Sequence, residues 1–432
     1  LDPDILCRPG LSISRTDFLL SCLSRLIALF SERRKVFHVF YGKPLEVLRS
    51  LCARNEIDTL FYNRDYEPYA LERDRTVEKL KEEFGVRIFS FRDTVLHEPT
   101  DILKADKTPY KVFTPYYHQW LNREKEFPLT NQNWKSVGQF EIPCGLKPDP
   151  KYTLSPQKGT EVSPEKNIES FFNEKLFEYD VKRDIPSFDG TSRLSKYLRF
   201  GAVSVRTLYY KASDIRTGLT DRQKESIDAF IRQLAWRDFY FQILYHFPYV
   251  ENAAFQRKYD NIRWENNEVW FRRWCEGQTG FPMIDAGMRQ MNTEGWMHNR
   301  LRMLTASFLT KDLLIDWRWG AEYFQKKLLD HDLALNNGGW QWAASTGADS
   351  QPWFRIFNPV EQSKKFDPEG IYIKTYIPEL SKVDTRFIHE PWKTPLKKQC
   401  EYSCRMGKDY PSPMVEHAQR RLTALEVYKK IR

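Results

Sequence analysis

The chain lacks any apolar run long enough to cross a bilayer, which takes about 20 residues of helix. Its best candidate, FLLSCLSRLIALF at 18–30, is broken by Ser21, Ser24 and Arg25. It also lacks a C-x-x-C pair. The seven cysteines (Cys7, Cys22, Cys52, Cys144, Cys275, Cys400, Cys404) are odd in number and scattered, which points to a reducing compartment and away from a disulfide framework or any metal site. No G-x-G-x-x-G, Walker A loop or H-E-x-x-H occurs, so the common nucleotide and metalloprotease motifs are excluded. The opening LDPDIL has neither Met nor a basic stretch leading into an apolar one, so no signal peptide is expected.

What is present points to two domains. At 432 residues the chain exceeds one average domain, and its net charge of +9 favours an acidic partner, either nucleic acid or an anionic membrane surface. β-rich runs at 36–42 (VFHVFYG), 59–63 (TLFYN) and 86–91 (VRIFSF) alternate with amphipathic stretches near 44–55 and 70–84, the pattern of βαβ units and a parallel sheet. Residues 1–126 therefore read as an α/β domain, and 127–166, irregular and rich in proline and glycine, as a linker. From 167 to 432 helical periodicity takes over, as in Ile227, Phe230, Ile231 and Leu234, so the larger domain reads as all-α.

Four polar constellations interrupt this helical text. On the helix around 225–245, Gln233, Trp236, Arg237 and Tyr240 share the face away from the apolar stripe. Two aromatics beside an amide and a guanidinium suit the stacking of bases, although a solvated helix side has the same look. The stretch 296–317 reads as one helix with Asn299, Arg302 and Met303 on one face and Arg300 beside them. In 189–201, Thr191, Ser192 and Ser195 surround a helix start, either an ordinary cap or a place for phosphate. The fourth stretch, LLDHDLALNNGGWQW at 328–342, sets Asp330, Asp332, Asn336, Asn337, Trp340 and Trp342 in an apolar frame. Buried polar groups need partners, and Asp330 or Asp332 can pair bidentately with Arg302. Eleven of the thirteen tryptophans lie beyond residue 167, so any aromatic chemistry belongs to the helical domain.

Together GTSRLSKYLRFG, LAWRDFY, TGFPMIDAGMRQMNTEGWMHNRLRMLTASFLTKDLLIDWRWG and LDHDLALNNGGWQWAASTGADSQPWFRIFNP resemble the DNA photolyase/cryptochrome family. The resemblance is strongest to the class I cyclobutane pyrimidine dimer photolyases, and YNRDYEPYALERD and KTPYKVFTPYY extend it into the first domain. It implies a Rossmann-like α/β domain, a larger all-α FAD-binding domain, and light-driven DNA repair by carbon–carbon lyase chemistry. It also implies a damaged site flipped out of ultraviolet-damaged DNA. The implied FAD contacts are Tyr179, Thr191, Ser192, Arg193, Leu194, Ser195, Arg237, Asn299, Arg302, Asp330, Asp332 and Asn336. The implied electron path is Trp340, Trp317, Trp264. The implied lesion contacts are Trp236 and Trp342 as walls with Asn299 and Met303 against the bases; Gln233 and Arg237 also face the DNA, and Arg183, Arg300 and Gln362 lie toward its backbone. A monomer without membrane contact is expected, in the bacterial cytoplasm near the nucleoid, or in the nucleus of a eukaryote.

Two departures qualify the resemblance. Gln233 stands where class I members carry Glu; an amide can donate to a dimer carbonyl but shares no carboxylic proton, which keeps a cryptochrome-like photoreceptor with weak or altered repair as an alternative. Asn336, in place of the plant-cryptochrome Asp, and Met303, where (6-4) photolyases carry histidines in that helix, point back to repair. The family's opening W-F-R-R-D-L-R-type strand is absent, so the sheet is expected to lack its first strand. An antenna chromophore, methenyltetrahydrofolate or a deazaflavin in relatives, is left unassigned.

Overall fold

The structure, a computed structural model, describes residues 1–8, 10–54, 57–129 and 162–431. Most of the expected linker 127–166, and Cys144 with it, lies outside the described residues. Labels are given to the elements that position the site. The first part holds α1 (Ile13–Glu32), α2 (Pro44–Arg54), β1 (Thr59–Asn63), α3 (Pro68–Val77), α4 (Leu80–Phe84), β2 (Arg87–Phe91) and α5 (Phe113–Asn122). Two of the three expected strands form: β1 and β2 pair in parallel, Thr59 opposite Arg87 and Asn63 opposite Phe91. The run 36–42 does not join them. The sheet holds β1 and β2, while in the run 36–42 the Phe40 carbonyl accepts from the Leu1 amino group and the Gly42 N–H bonds to the Leu1 carbonyl. The stretch 70–84 divides into α3 and α4, and Gly85 closes α4 with the positive φ of 68° that only glycine adopts at little cost.

The second part is helical: α6 (Ser195–Arg199), α7 (Asp221–His246), α8 (Pro282–Glu294), α9 (Asn299–Ser307), α10 (Trp317–Lys327), α11 (Leu333–Ala344), α12 (Pro359–Phe366) and α13 (His417–Lys429), with further helices such as Val205–Asp214 and Glu268–Cys275 and shorter turns between them. The α7 helix starts at a capping box, in which Thr220 and Gln223 satisfy each other's backbone N–H. Its predicted stripe Ile227, Phe230, Ile231 and Leu234 is buried. That stripe shares one core with Phe18, Leu96, Phe113, Tyr116 and Trp120, so the first part packs directly on the helical one.

The expected single helix at 296–317 is a correction. It ends at Ser307, passes through a wide π turn at Phe308–Asp312, and reverses through Leu314 at φ 49° before Trp317 starts α10. The π turn carries Lys311 and Asp312 into the core, both fully buried. Lys311 Nζ donates to Ser345 Oγ (3.0 Å) and the Ala344 carbonyl (3.3 Å), capping the C-terminus of α11, where a donor is needed. Burial pushes the Lys311 pKa well down. Among the described residues no helix is long and apolar enough to cross a membrane.

Candidate functional site

The helix α11 organises the site. Its N-cap Asp332 accepts from the Leu335 N–H at 3.2 Å, which fixes where the helix begins and hence where Asn336, Trp340 and Trp342 fall. Asn336 donates its amide to the Ala321 carbonyl (3.0 Å), so its side-chain oxygen is the end left to accept. Asn337 and Gln341 are structural: both donate to the Val250 carbonyl, at 2.6 and 3.1 Å. A Cβ at Gly338 would run into the Tyr240 ring, so glycine there lets α7 and α11 approach. At Gly339 a Cβ would meet only open space.

Ahead of α11, Asp330 is 7% exposed and takes three hydrogen bonds. Ser195 Oγ donates at 2.6 Å, and Arg302 Nη2 donates to both carboxylate oxygens at 2.9 and 3.1 Å. The expected Arg302 partner is therefore Asp330, not Asp332. The pairing is not the expected two-pronged fork, because Arg302 Nε is committed to the Met297 carbonyl at 2.8 Å. Asp332 instead faces Arg199 at 3.8 Å, and Arg199 pairs with Glu67 at 2.8 Å. Glu67 belongs to the first part and accepts from the Leu333 N–H at 3.4 Å; burial raises its pKa against the opposing pull of Arg199. The motifs YNRDYEPYALERD and SKYLRFG contain Glu67 and Arg199, but nothing in them signals that the two meet.

The hydroxyl cluster is looser than expected. Helix α6 has only five residues, with Thr191 and Ser192 in the loop before it, and Ser192 Oγ accepts from the Leu194 N–H at 3.4 Å. The Leu194 side chain is buried in the core, which leaves only its backbone to face a ligand. Arg193, at φ 49°, lies over the Trp296 ring at 4.3 Å and reaches Glu294 at 3.4 Å. Tyr179 packs edge-on against Phe171 and Phe230, with the Arg183 guanidinium 5.6 Å from its ring centre.

Across the site, α7 presents Gln233, Trp236 and Tyr240, but not Arg237. Arg237 is 7% exposed, donates to the Thr94 carbonyl and lies over Phe241, so it ties α7 to the first part. Its neighbour Asp238 completes that tie by accepting from Leu96 N (3.0 Å), His97 N (3.1 Å) and Trp120 Nε1 (2.9 Å); burial pushes its pKa up to about 6. Gln233 Nε2 donates back to the Ala229 carbonyl of its own helix at 3.2 Å. Asn299 is exposed, 3.6 Å from the Met303 sulfur. Arg300 pairs with Asp184 at 2.8 Å and lies over Phe366 at 4.2 Å. There it lines a groove of about 460 Å³ with Gln362, Lys365 and Phe357. Trp340 and Trp317 are each 2% exposed, whereas Trp264 is half-buried, so the three grade from core toward surface. Trp342 is half-buried as well.

Residues 230–430 match the family described as "FAD binding domain of DNA photolyase", and residues 1–132 match "DNA photolyase". The deoxyribodipyrimidine photo-lyase of Alkalihalophilus pseudofirmus is 43% identical over 88% of this chain and 80% of its own length. The chain belongs to the DNA photolyase family. Among solved structures, a class III photolyase from Agrobacterium tumefaciens superposes at TM-score 0.87 with 30% identity, over 98% of this chain and 89% of that one. A cryptochrome from Synechocystis sp. PCC6803 superposes at 0.89 with 26% identity, over 99% of this chain and 92% of that one. The fold is thus a photolyase α/β part followed by a helical FAD domain, and fold alone does not separate repair from sensing. The side chains around α11 fit a flavin dinucleotide. Asp330, Asp332 and Asn336 carry acceptor oxygens, and Thr191, Ser192 and Arg193 are of the donor types that suit phosphate, while the one Ser195 hydroxyl proton is already given to Asp330. Among the described residues, the buried Trp340 Nε1 and His331 Nδ1 have no protein partner.

Proposed function

We propose that this chain is a light-driven lyase that splits cyclobutane pyrimidine dimers in ultraviolet-damaged DNA. It acts as a monomer, in the bacterial cytoplasm near the nucleoid or in a eukaryotic nucleus. The observation that carries this reading is α11 itself. One twelve-residue helix carries Asn336, Trp340 and Trp342 and follows directly on Asp330, which Arg302 and Ser195 hold, inside a chain of the photolyase family. Bound in its reduced state, FAD would supply a donor excited by blue or near-ultraviolet light, able to open the cyclobutane ring with no net redox change.

The remaining work falls to the chain's own residues. The Asp330 carboxylate, held from two sides, gives the floor one fixed acceptor whose charge is already balanced by Arg302. Asn336 offers an oxygen that accepts a hydrogen bond but holds no proton to give away. Trp264, Trp317 and Trp340 carry electrons inward from the surface. Trp236 and Trp342 wall the flipped-out pyrimidine dimer, Asn299 and Met303 meet its base edges, and Arg300, Arg183 and Gln362 meet the DNA backbone. The Gln233 amide spends one of its two N–H groups on the Ala229 carbonyl, which tethers it to its own helix and leaves the second N–H to reach a dimer carbonyl. A blue-light sensor with little repair activity is the less favoured reading and rests on Gln233 alone. The test is illumination of the reduced protein with DNA carrying thymine dimers against a dark control. Light-dependent loss of dimers supports repair, and dimers that survive illumination leave the sensor reading ahead.

A further inference from the structure

Two rings of the motif KTPYKVFTPYY, Phe113 and Tyr117, stack in line with Trp236 of α7. Phe113, the first residue of α5, lies flat on the indole of Trp236: the ring centres are 3.7 Å apart and the planes 8° from parallel. One turn later, Tyr117 continues the stack on Phe113 at 5.5 Å and 16°. The Arg232 guanidinium lies 5.1 Å from the Tyr117 ring centre. The column therefore runs from α5 onto Trp236 of α7. Phe113 is fixed at its backbone too, because its N–H donates to Asp349 Oδ2 at 3.0 Å. Asp349 sits at φ 45°, a conformation that is strained for a residue other than glycine and persists only where the surroundings hold it. That aspartate belongs to the loop following α11, so α5, α7 and the α11 end meet at this one ring.

Phe113 is 5% exposed and Tyr117 7%, so neither is placed to touch DNA, whereas Trp236 is half-buried and keeps surface for a ligand. We infer that Phe113 is a positioning residue for damaged DNA: backed by Tyr117 and pinned by Asp349, it holds the Trp236 indole flat and still, so that an extruded pyrimidine stacks on a preformed platform. A wall that is already immobile loses little side-chain freedom when the base arrives, and base–aromatic stacking is weakened when the ring is free to tilt. The inference rests on the reading of Trp236 as a lesion wall, and its test separates the two.

The FAD-loaded full chain and its Phe113→Leu, Phe113→Tyr and Trp236→Ala variants are titrated in the dark with a thymine-dimer oligonucleotide and with the undamaged one. Phe113→Leu keeps apolar bulk but removes the flat ring. It is expected to weaken dimer binding about threefold to tenfold, the scale of one aromatic pair, with undamaged binding and FAD content unchanged. Phe113→Tyr should return dimer affinity to within about twofold of the parent. If Phe113→Leu fails to fold, Tyr117→Leu takes its place, with a loss of about twofold expected in the same direction. Parental dimer affinity in Phe113→Leu, alongside lost affinity in Trp236→Ala, would overturn the backing role and leave Trp236 as a wall. Parental affinity in Trp236→Ala would overturn the wall itself and the inference with it. Equal losses on damaged and undamaged DNA would also overturn it, since they would mark a general structural defect.

Discussion

Replacing Gln233 with glutamate tests the one position where this chain departs from the class I pattern inside the cavity. In the structure the Gln233 amide is engaged with the Ala229 carbonyl at 3.2 Å. That bond uses one of its two N–H groups and tethers the amide to its own helix, so turning it fully toward a lesion costs about 1 kcal/mol, or about fivefold in the population ready to act. A glutamate cannot make the bond when ionised, because two acceptors face each other, so its carboxyl is driven toward the cavity. There, half-buried, it favours the protonated form more than an exposed glutamate does and gains an O–H donor. Gln233→Glu is therefore expected to lose about 0.5–1.5 kcal/mol of stability and to raise repair per absorbed photon about fivefold, with the gain largest on the acid side of neutrality. Repair yield is read as dimers lost per photon over a pH series, and stability from urea unfolding. Gln233→Leu, which has no donor, should fall below the parent. If the Glu variant repairs no better than the parent and the Leu variant no worse, residue 233 does not touch the lesion.

Further expectations follow from the same geometry. Arg302→Ala strips the partner from the nearly buried Asp330 carboxylate, so about 3–5 kcal/mol of stability is lost and FAD is no longer retained; the double variant with Asp330→Asn recovers part of the stability. Urea unfolding and the flavin-to-protein absorbance ratio measure both effects. The folded-state pKa of Asp238, raised to about 6 from an unfolded value near 3.8, means that the native protein binds the extra proton. Stability from this group is accordingly full below about pH 4 and declines by about 3 kcal/mol as pH rises through 6. Asp238→Asn should flatten that slope in unfolding curves taken across the window, and an unchanged slope would reject the assignment. Trp264→Phe should abolish light-driven reduction of the oxidised flavin with an external thiol, while repair by chemically pre-reduced protein stays at the parental level. DNA binding should weaken steeply with salt, with a logarithmic slope near −0.9 for each phosphate neutralised.

Much of this arrangement could be read from residue order, and the exceptions have physical causes. The apolar stripe Ile227 to Leu234 was legible because helical periodicity is a local property. The Arg302–Asp330 contact was legible because charges set in apolar text must find each other, but which of two aspartates would be chosen was not. Asp332 is drawn away by Arg199, whose second partner Glu67 lies far upstream. The break in 296–317 was hidden because no proline or glycine marks it; the chain turns through a π turn and a left-handed leucine held by surrounding packing. Arg237 looked like a site residue because it shares a helical face with Gln233 and Trp236, yet the first part of the chain covers that end of the face. The run at 36–42 had strand composition but does not join the sheet of β1 and β2. The Phe113–Trp236 stack joins two motifs that no spacing rule connects.

The central claim is that light, through this cavity, opens the dimer without net redox change. The direct measurement mixes the reduced, FAD-loaded chain with a thymine-dimer oligonucleotide and gives a counted series of light flashes. Dimer content and the flavin absorption spectrum are then read before and after, beside an unilluminated sample. The account predicts that dimers disappear only in the light, over many turnovers, with the flavin still reduced at the end. Dimers that persist under light, vanish equally in the dark, or disappear only in step with flavin oxidation would contradict it.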